Sequence, residues 1–309
     1  MRLLHCVRND VLFVLGVDSK LKVNGKQIFH LNILTINVDA MNEFNETIAF
    51  LKKQGIENPE IGIVLGTGLG KLVNSIEIIK AIDYKDIPHF PLSTVESHAG
   101  KLIYGVIKGK NVLAMQGRFH YYEGYSLQEV TYPIRIMKLL GIKYLLLSNA
   151  AGATNFDFKK GSLMLLDDHI NFLPDNPLRG KHYDEFGPRF PDMSRPYSKF
   201  LNDKIKNIAQ RENIVLHEGI YAVMAGPNLE TRAEYRYLRD SGADVVGMST
   251  VPEVIVANQM NLPCAAVTVI TDECDPDNLK PVSLEEILQV AGKAENQLVK
   301  IFVALIEEL

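Results

Sequence analysis

Ile61-Gly62-Ile63-Val64-Leu65-Gly66-Thr67-Gly68-Leu69-Gly70 reads as a short apolar strand that runs straight into a glycine-rich turn. A continuous apolar run of this length, bounded by turn residues, suits a strand covered on both faces. Runs of the same kind recur at Leu102–Ile107, Val112–Met115, Tyr144–Leu147, Leu163–Leu166, Ile220–Val223 and Ala265–Ile270. Between them, helical spacing predicts Leu127–Leu140, Lys199–Arg211, Glu230–Ser241, Pro252–Met260 and Leu284–Glu308. A further helix is predicted over Asn42–Gln54, with Phe44, Ile48 and Leu51 on one face. Such alternation predicts one α/β domain with a largely parallel sheet, spanning residues 41–309. Leu173–Pro196 breaks the rhythm: it is rich in Pro, Asp, Arg and aromatic residues and too long for an ordinary connection. A loop of that kind is expected to be functional or an interface.

Residues 1–40 lack a sustained period of either 2 or 3.6. They are expected to be an N-terminal extension, and an upstream start codon with translation from Met41 is the favoured explanation. The apolar run Val11–Val17 is followed at once by Asp18 and Lys20, too short for a signal peptide or a membrane span. Of the 309 residues 47% are hydrophobic, ample for a large core, and the net charge of −4 argues against nucleic acid as a partner. Cys6, Cys264 and Cys274 have no CxxC spacing, which fits a reducing cytoplasmic compartment, and no membrane is expected because no apolar run is long enough to span one.

Chemistry concentrates where these strands end. In Gly66–Gly70 the glycines let the backbone turn N–H groups toward an anion, and Thr67 adds a hydroxyl. The third glycine of a dinucleotide fingerprint would fall on Lys71, and the Walker pattern is absent too. A plain strand-to-helix turn explains the loop equally well. In Gly117-Arg118-Phe119-His120-Tyr121-Tyr122-Glu123-Gly124, extended chain puts Arg118 and His120 on one face. Arg118 supplies a planar fork suited to phosphate, and His120 a donor whose tautomer Glu123 can fix. Ser148-Asn149-Ala150-Ala151-Gly152 allows close approach to backbone amides, although a packing turn looks the same. Glu230 is either a purine-edge acceptor or an acidic residue in a helix's first turn. Ser249 is either an anion ligand or an N-terminal cap.

The ordered set GTGLG (66–70), ESHAGKL (96–102), GRFHYYEGY (117–125), NAAG (149–152), NPLRG (176–180), RFPDMS (189–194), AGPNLET (225–231) and VGMSTVPEV (246–254) resembles the trimeric purine nucleoside phosphorylase family. The resemblance runs from Ile61 to the C-terminus. It implies a twisted, mixed, mostly parallel sheet flanked by helices, a homotrimer, and phosphorolysis of purine nucleosides with no metal or organic cofactor. Inorganic phosphate is then a co-substrate, held by Thr67, Arg118, His120, the Ala150 backbone and Ser249, with His98 nearby. Tyr122 and Met248 would contact ribose, and Phe190 would reach a neighbouring subunit's site. Leu229, Glu230, Thr271 and Asp272 would face the base, with Glu230 at N1–H and Asp272 beside N7. The catalytic set implied is His120, Glu230 and Asp272.

Two positions depart from the family's 6-oxopurine form. Asp272 stands where an asparagine is expected, and an ionised aspartate only accepts, which favours an amino group at C6. Leu284 stands where a histidine would meet the ribose 5′-hydroxyl, which favours a 5′-deoxy or 5′-methylthio group. Leu229 replaces a phenylalanine and keeps an apolar wall. Glu230 argues for inosine and guanosine, because an ionised carboxylate would repel the N1 lone pair of adenine. A phosphorylase for inosine and guanosine is the expectation, and one for 6-amino or 5′-methylthio nucleosides the alternative. A non-catalytic nucleoside- or phosphate-binding protein is disfavoured by the presence of both Arg118 and His120.

Overall fold

The structure, a computed structural model, describes the strands at residues 3–8 and 11–16 together with residues 41–92, 94 and 99–309. The chain divides into two compact units, residues 1–44 and 45–309. In the first, β1 (Leu3–Arg8) and β2 (Val11–Gly16) pair antiparallel, from Leu3 opposite Gly16 to Arg8 opposite Val11. Neither strand alternates apolar with polar residues, so no period of 2 marked them in the sequence. The rest of the expected extension, residues 17–40, lies outside the described residues, as does His98.

Helix α1 covers residues 41–53. There follow β3 (Ile61–Leu65), β4 (Glu77–Asp83), β5 (Lys101–Ile107), β6 (Lys110–Gln116), α2 (Leu127–Leu140), β7 (Tyr144–Ala153) and β8 (Leu163–Asn171). The chain continues through α3 (Lys199–Arg211), β9 (Leu216–Val223), α4 (Arg232–Asp240), β10 (Val245–Gly247), α5 (Val251–Gln259), β11 (Cys264–Glu273) and α6 (Leu284–Glu308). The large unit holds a nine-stranded sheet in the order β10-β9-β8-β11-β7-β3-β6-β5-β4. The pairs β10–β9, β9–β8, β11–β7, β7–β3 and β3–β6 are parallel. The pairs β8–β11, β6–β5, β5–β4 and β10–β7 are antiparallel. The mixed, mostly parallel α/β sheet implied by the resemblance is therefore present.

The last of those pairs sets the shape. The end of β7, at Gly152 and Ala153, bonds Val246 and Val245 of β10, so five strands close on themselves. Strands β3, β6, β5 and β4 extend from that closed end as an open wing. In the large unit two strands went unseen in the sequence, for different reasons. β4 is an edge strand that leaves Ile78 and Ile79 exposed, and β10 is only three residues long.

Helices α3 and α6 cover one face of the sheet, where Ala291, Ala294, Leu298, Ile301, Phe302 and Leu305 recur at helical spacing and are buried against Ile63, Leu146 and Val267. Each fully buried Leu, Ile, Val or Phe side chain among these contributes roughly 1.5–3 kcal/mol. Ser283 caps α6 by accepting from Glu286 N at 3.1 Å. Gly292 sits inside this helix, and a Cβ there would meet no atom within 4 Å. Gly292→Ala is expected to stabilise the protein by about 0.5–1 kcal/mol through lost unfolded-state entropy. An unchanged or lowered thermal midpoint would contradict that reading.

Candidate active site

A cavity of about 350 Å³ opens just beyond the carboxyl ends of β3, β6, β7, β9, β10 and β11, where ligands bind in α/β sheets. It brings together Thr67, Arg118, His120, Tyr122, Ala150, Leu229, Glu230, Met248, Ser249, Thr271, Asp272 and Leu284, drawn from loops far apart in sequence. Phe190 is not on its wall and is 88% exposed, so whatever it reaches lies outside this chain's own site.

At one end lies Arg118, only 1% exposed. Its Nη1 donates to Ser148 O at 2.8 Å and to Ser249 Oγ at 3.2 Å. Its Nε and Nη2 lie 3.1 and 2.9 Å from Glu253 Oε1. The sequence suggested a fork open to phosphate. Instead a buried carboxylate balances that charge, and an anion here would meet hydroxyls and amides beside a neutralised pair. Glu253 itself escaped sequence reasoning, since nothing local joins residues 135 positions apart. Only the burial of Arg118 in the fold demands a carboxylate beside it, and that burial has no local signature in the sequence.

Ser249 is not a helix cap. The N-cap of α5 is Thr250, which makes no side-chain capping bond and sits at φ 72°. Positive φ in a β-branched residue costs of order 1–3 kcal/mol and tends to cluster at functional sites. What it achieves here is a hydroxyl cluster: Thr250 Oγ1 lies 3.2 Å from Ser249 Oγ and accepts from Asn149 Nδ2 at 2.9 Å. Asn149 Oδ1 in turn accepts from Thr268 at 2.7 Å.

His120 is buried, with Nδ1 2.9 Å from Glu123 Oε1 and its ring stacked on Tyr122 at 4.6 Å. Burial pushes the imidazole below its ordinary value, and nearby Arg118 adds to this against the opposing pull of Glu123. Burial also pushes Glu123 upward, but bonds from His120 and Thr94 outweigh it and hold the carboxyl at about 2. A neutral ring protonated at Nδ1 and held there by Glu123 would offer Nε2 to a ligand as an acceptor.

At the other end two carboxyl groups face the cavity. Asp272 Oδ1 accepts from Thr271 Oγ1 at 2.8 Å, and Oδ2 from Cys274 Sγ at 3.2 Å. Gly152 makes room for Asp272 and Cys274, since a Cβ there would sit 2.7 Å from Asp272 Oδ2 and 2.5 Å from Cys274 Sγ. Glu230 is 8% exposed, and burial raises its carboxyl above the usual range, against a bond from Tyr235 and with a further push from Glu234 and Asp272. It precedes Thr231, the capping residue of α4, so it is not a first-turn acid of that helix. Tyr235 and Cys274 were missed by the sequence reading. Tyr235 lies three residues before Leu238 on the inward face of α4, which was the available signal.

A family model described as the phosphorylase superfamily matches residues 60–307. The chain is 46% identical over 260 residues to purine nucleoside phosphorylase 1 of Bacillus subtilis, covering 84% of this chain and 96% of that protein. A crystal structure of isoform 2 of the Schistosoma mansoni purine nucleoside phosphorylase, in complex with cytosine and ribose-1-phosphate, superposes with a TM-score of 0.83 at 42% identity. The match covers 87% of this chain and 96% of that one. A Schistosoma mansoni purine nucleoside phosphorylase in complex with adenosine matches with a TM-score of 0.82 at 38% identity, over 87% and 97% of the two chains. The chain belongs to the phosphorylase superfamily.

Proposed function

We propose that this chain is a purine nucleoside phosphorylase, cleaving inosine, guanosine and their 2′-deoxy forms with inorganic phosphate. The observation that carries this reading is one cavity joining an anion-ready end (Thr67, Arg118, His120, Ser249) to a base-ready end (Glu230, Asp272). Phosphate attacks C1′ from the face opposite the base, so C1′–O forms as C1′–N9 breaks, and ribose 1-phosphate appears with inverted configuration. The proton of monohydrogen phosphate is released as the base leaves with one at N7, so the reaction is proton-neutral. His120 Nε2 accepts from the phosphate hydroxyl and orients the anion beside the oxocarbenium-like C1′. Ala150 N–H and the Thr67 and Ser249 hydroxyls supply donors, with His98 as a further phosphate ligand. Tyr122 and Met248 line the ribose, and a group beside N7 assists departure of the base.

The reading includes a homotrimer in which Phe190, solvent-exposed in the single chain, closes a neighbour's cavity. It needs no metal or organic cofactor, and its place is the cytoplasm. Among the described residues no helix is long and apolar enough to cross a membrane. A second reading, cleavage of 5′-methylthio nucleosides, is favoured by apolar Leu284 on the cavity wall.

The test is phosphate-dependent turnover of inosine, guanosine, adenosine and 5′-methylthioadenosine, compared as kcat/KM. Inosine or guanosine is expected to be cleaved, with ribose 1-phosphate as product. Failure on all four would end the proposal, and a lead for 5′-methylthioadenosine would select the second reading.

A further inference from the structure

Glu295 stands on the packed face of α6 beside the apolar residues Ala291, Ala294 and Leu298, and it is only 2% exposed. Desolvating a carboxylate is costly, so packing alone would favour an apolar side chain at this position. The carboxylate instead accepts from the backbone N–H of Lys71, 224 positions away in sequence. Burial pushes its carboxyl above the usual range, and the backbone N–H groups of Lys71 and Leu72, with the Lys71 charge, pull against that.

Lys71 opens a short 3₁₀ helix, Lys71–Ser75, directly after the Gly66–Gly70 loop. The first N–H groups of a helix have no partner within it. The N-cap here is Gly70, which has no side chain to offer them. Glu295 supplies from α6 the acceptor that a capping serine or aspartate supplies locally elsewhere. The loop is thereby held at both ends. At its start Gly66 N donates to Ser148 Oγ of β7 at 3.3 Å, and Leu69 N closes the turn on Gly66 O at 3.1 Å. Gly68 leaves no slack between, since a Cβ there would lie 3.1 Å from Ala291 Cβ and 3.2 Å from Leu288 Cδ2. Thr67, between these pins, is on the cavity wall with Arg118, His120 and Ser249. The Lys71 side chain does not duplicate the hold. Its Nζ donates to Gly292 O and lies 3.4 Å from Asn296 Oδ1, at the exposed surface and away from the loop backbone.

We propose that Glu295 is a positioning residue for the anion end of the cavity. By fixing the Lys71 and Leu72 N–H groups from α6, it sets the course of Gly66–Gly70 and so the place of the Thr67 hydroxyl at phosphate. This inference rests on the phosphorylase reading above. What phosphate binding needs at position 295 is then an acceptor, and neither bulk nor charge replaces it. Tyr122, Glu230, Met248 and Asp272 line the cavity from other loops, so nucleoside binding is largely spared.

The test separates acceptor from bulk. Glu295→Leu fills the space without an acceptor, whereas Glu295→Gln keeps an amide oxygen for the same N–H groups. Glu295→Leu is expected to raise KM for phosphate at least about 10-fold, as a displaced binding group does. Its KM for inosine should stay within about 3-fold of wild type, the split that marks lost binding of one substrate. Glu295→Gln should stay within about 3-fold of wild type on both substrates. Should Glu295→Leu fail to fold, Glu295→Asp, which draws the carboxylate back by one methylene, is expected to shift phosphate KM in the same direction. Wild-type phosphate affinity in Glu295→Leu or its aspartate substitute overturns the proposal. Equal weakening toward phosphate and inosine overturns it as well, and so does a Glu295→Gln as defective as Glu295→Leu. Phosphate affinity is also read by calorimetry without turnover. A wild-type chain that binds phosphate but cleaves no nucleoside would therefore sink the phosphorylase reading, while the calorimetric comparison still decides the role of Glu295.

Discussion

Arg118→Ala is expected to lose phosphorolysis and stability together. A planar fork open to phosphate, as the sequence suggests for Arg118, would lose catalysis alone and leave the fold intact. In the structure Arg118 is fully enclosed and its guanidinium shares Glu253 Oε1 through two nitrogens. Removing it strands Glu253, whose Oε2 already has no hydrogen-bond partner among the described residues. Breaking one side of a buried ion pair costs about 3–5 kcal/mol, because the partner stays desolvated and uncompensated. The Ser249 hydroxyl and Ser148 carbonyl lose their donor in the same step. Ser249 then loses the bond that orients its hydroxyl, and loss of one donor to a reacting anion is worth on the order of 100- to 1,000-fold in kcat. The two effects separate in a double variant, Arg118→Met with Glu253→Leu, which replaces the pair by apolar groups. The double variant should regain most of the thermal midpoint and none of the turnover. Thermal unfolding and phosphate saturation curves on both variants measure this. Arg118→Ala with wild-type stability would show that Glu253 does not depend on it. An unchanged KM for phosphate would remove Arg118 from the site.

The course of the chain was legible wherever local signals agree. Leu127–Leu140 and Lys199–Arg211 were read to the residue, since an apolar face at helical spacing begins after a capping serine in each. Ser126 and Ser198 both accept from the third residue of their helices, and Gly141 ends the first in a left-handed turn. The ambiguous polar residues were a different matter, because Glu230 and Ser249 each had a bland local explanation. One residue of displacement from the helix start decided both: Thr231 and Thr250 take the capping position instead. What stayed hidden was pairing across the fold. Glu253 under Arg118, and Tyr235 and Cys274 around the carboxyl pair, are brought close only by the closing of β7, β11, β8, β9 and β10. The charge state of the site depends on those partners. For that reason its residues could be named from sequence while the protonation of His120 and Glu230 could not.

Gly66→Ala is expected to be the most damaging one-carbon change in the Gly66–Gly70 loop. The loop reads as ordinary turn chemistry, and Gly68, at φ +73°, does serve the turn. Gly66 serves a close approach. A Cβ there would lie 2.7 Å from Ser148 O and 2.8 Å from Asn149 Cα, both backbone atoms of β7 that no rotamer change can relieve. The contact passes through the site, because Ser148 O is the acceptor for Arg118 Nη1, and Ala150 follows two residues on. Its amide partner is also at risk, since Gly66 N donates to Ser148 Oγ at 3.3 Å. Overpacking of this kind costs about 1–3 kcal/mol. Displacing the anion's donors by about 1 Å can cost on the order of 100-fold in rate. Gly70→Ala is the control within the same loop. Its Cβ would first meet Gln116 Nε2 at an ordinary 3.7 Å, and its φ of −95° suits any residue. That variant should keep wild-type kcat/KM for phosphate and a wild-type melting temperature. Equal losses in the two variants would make the loop's sensitivity one of turn conformation, with no particular role for the approach of Gly66 to β7.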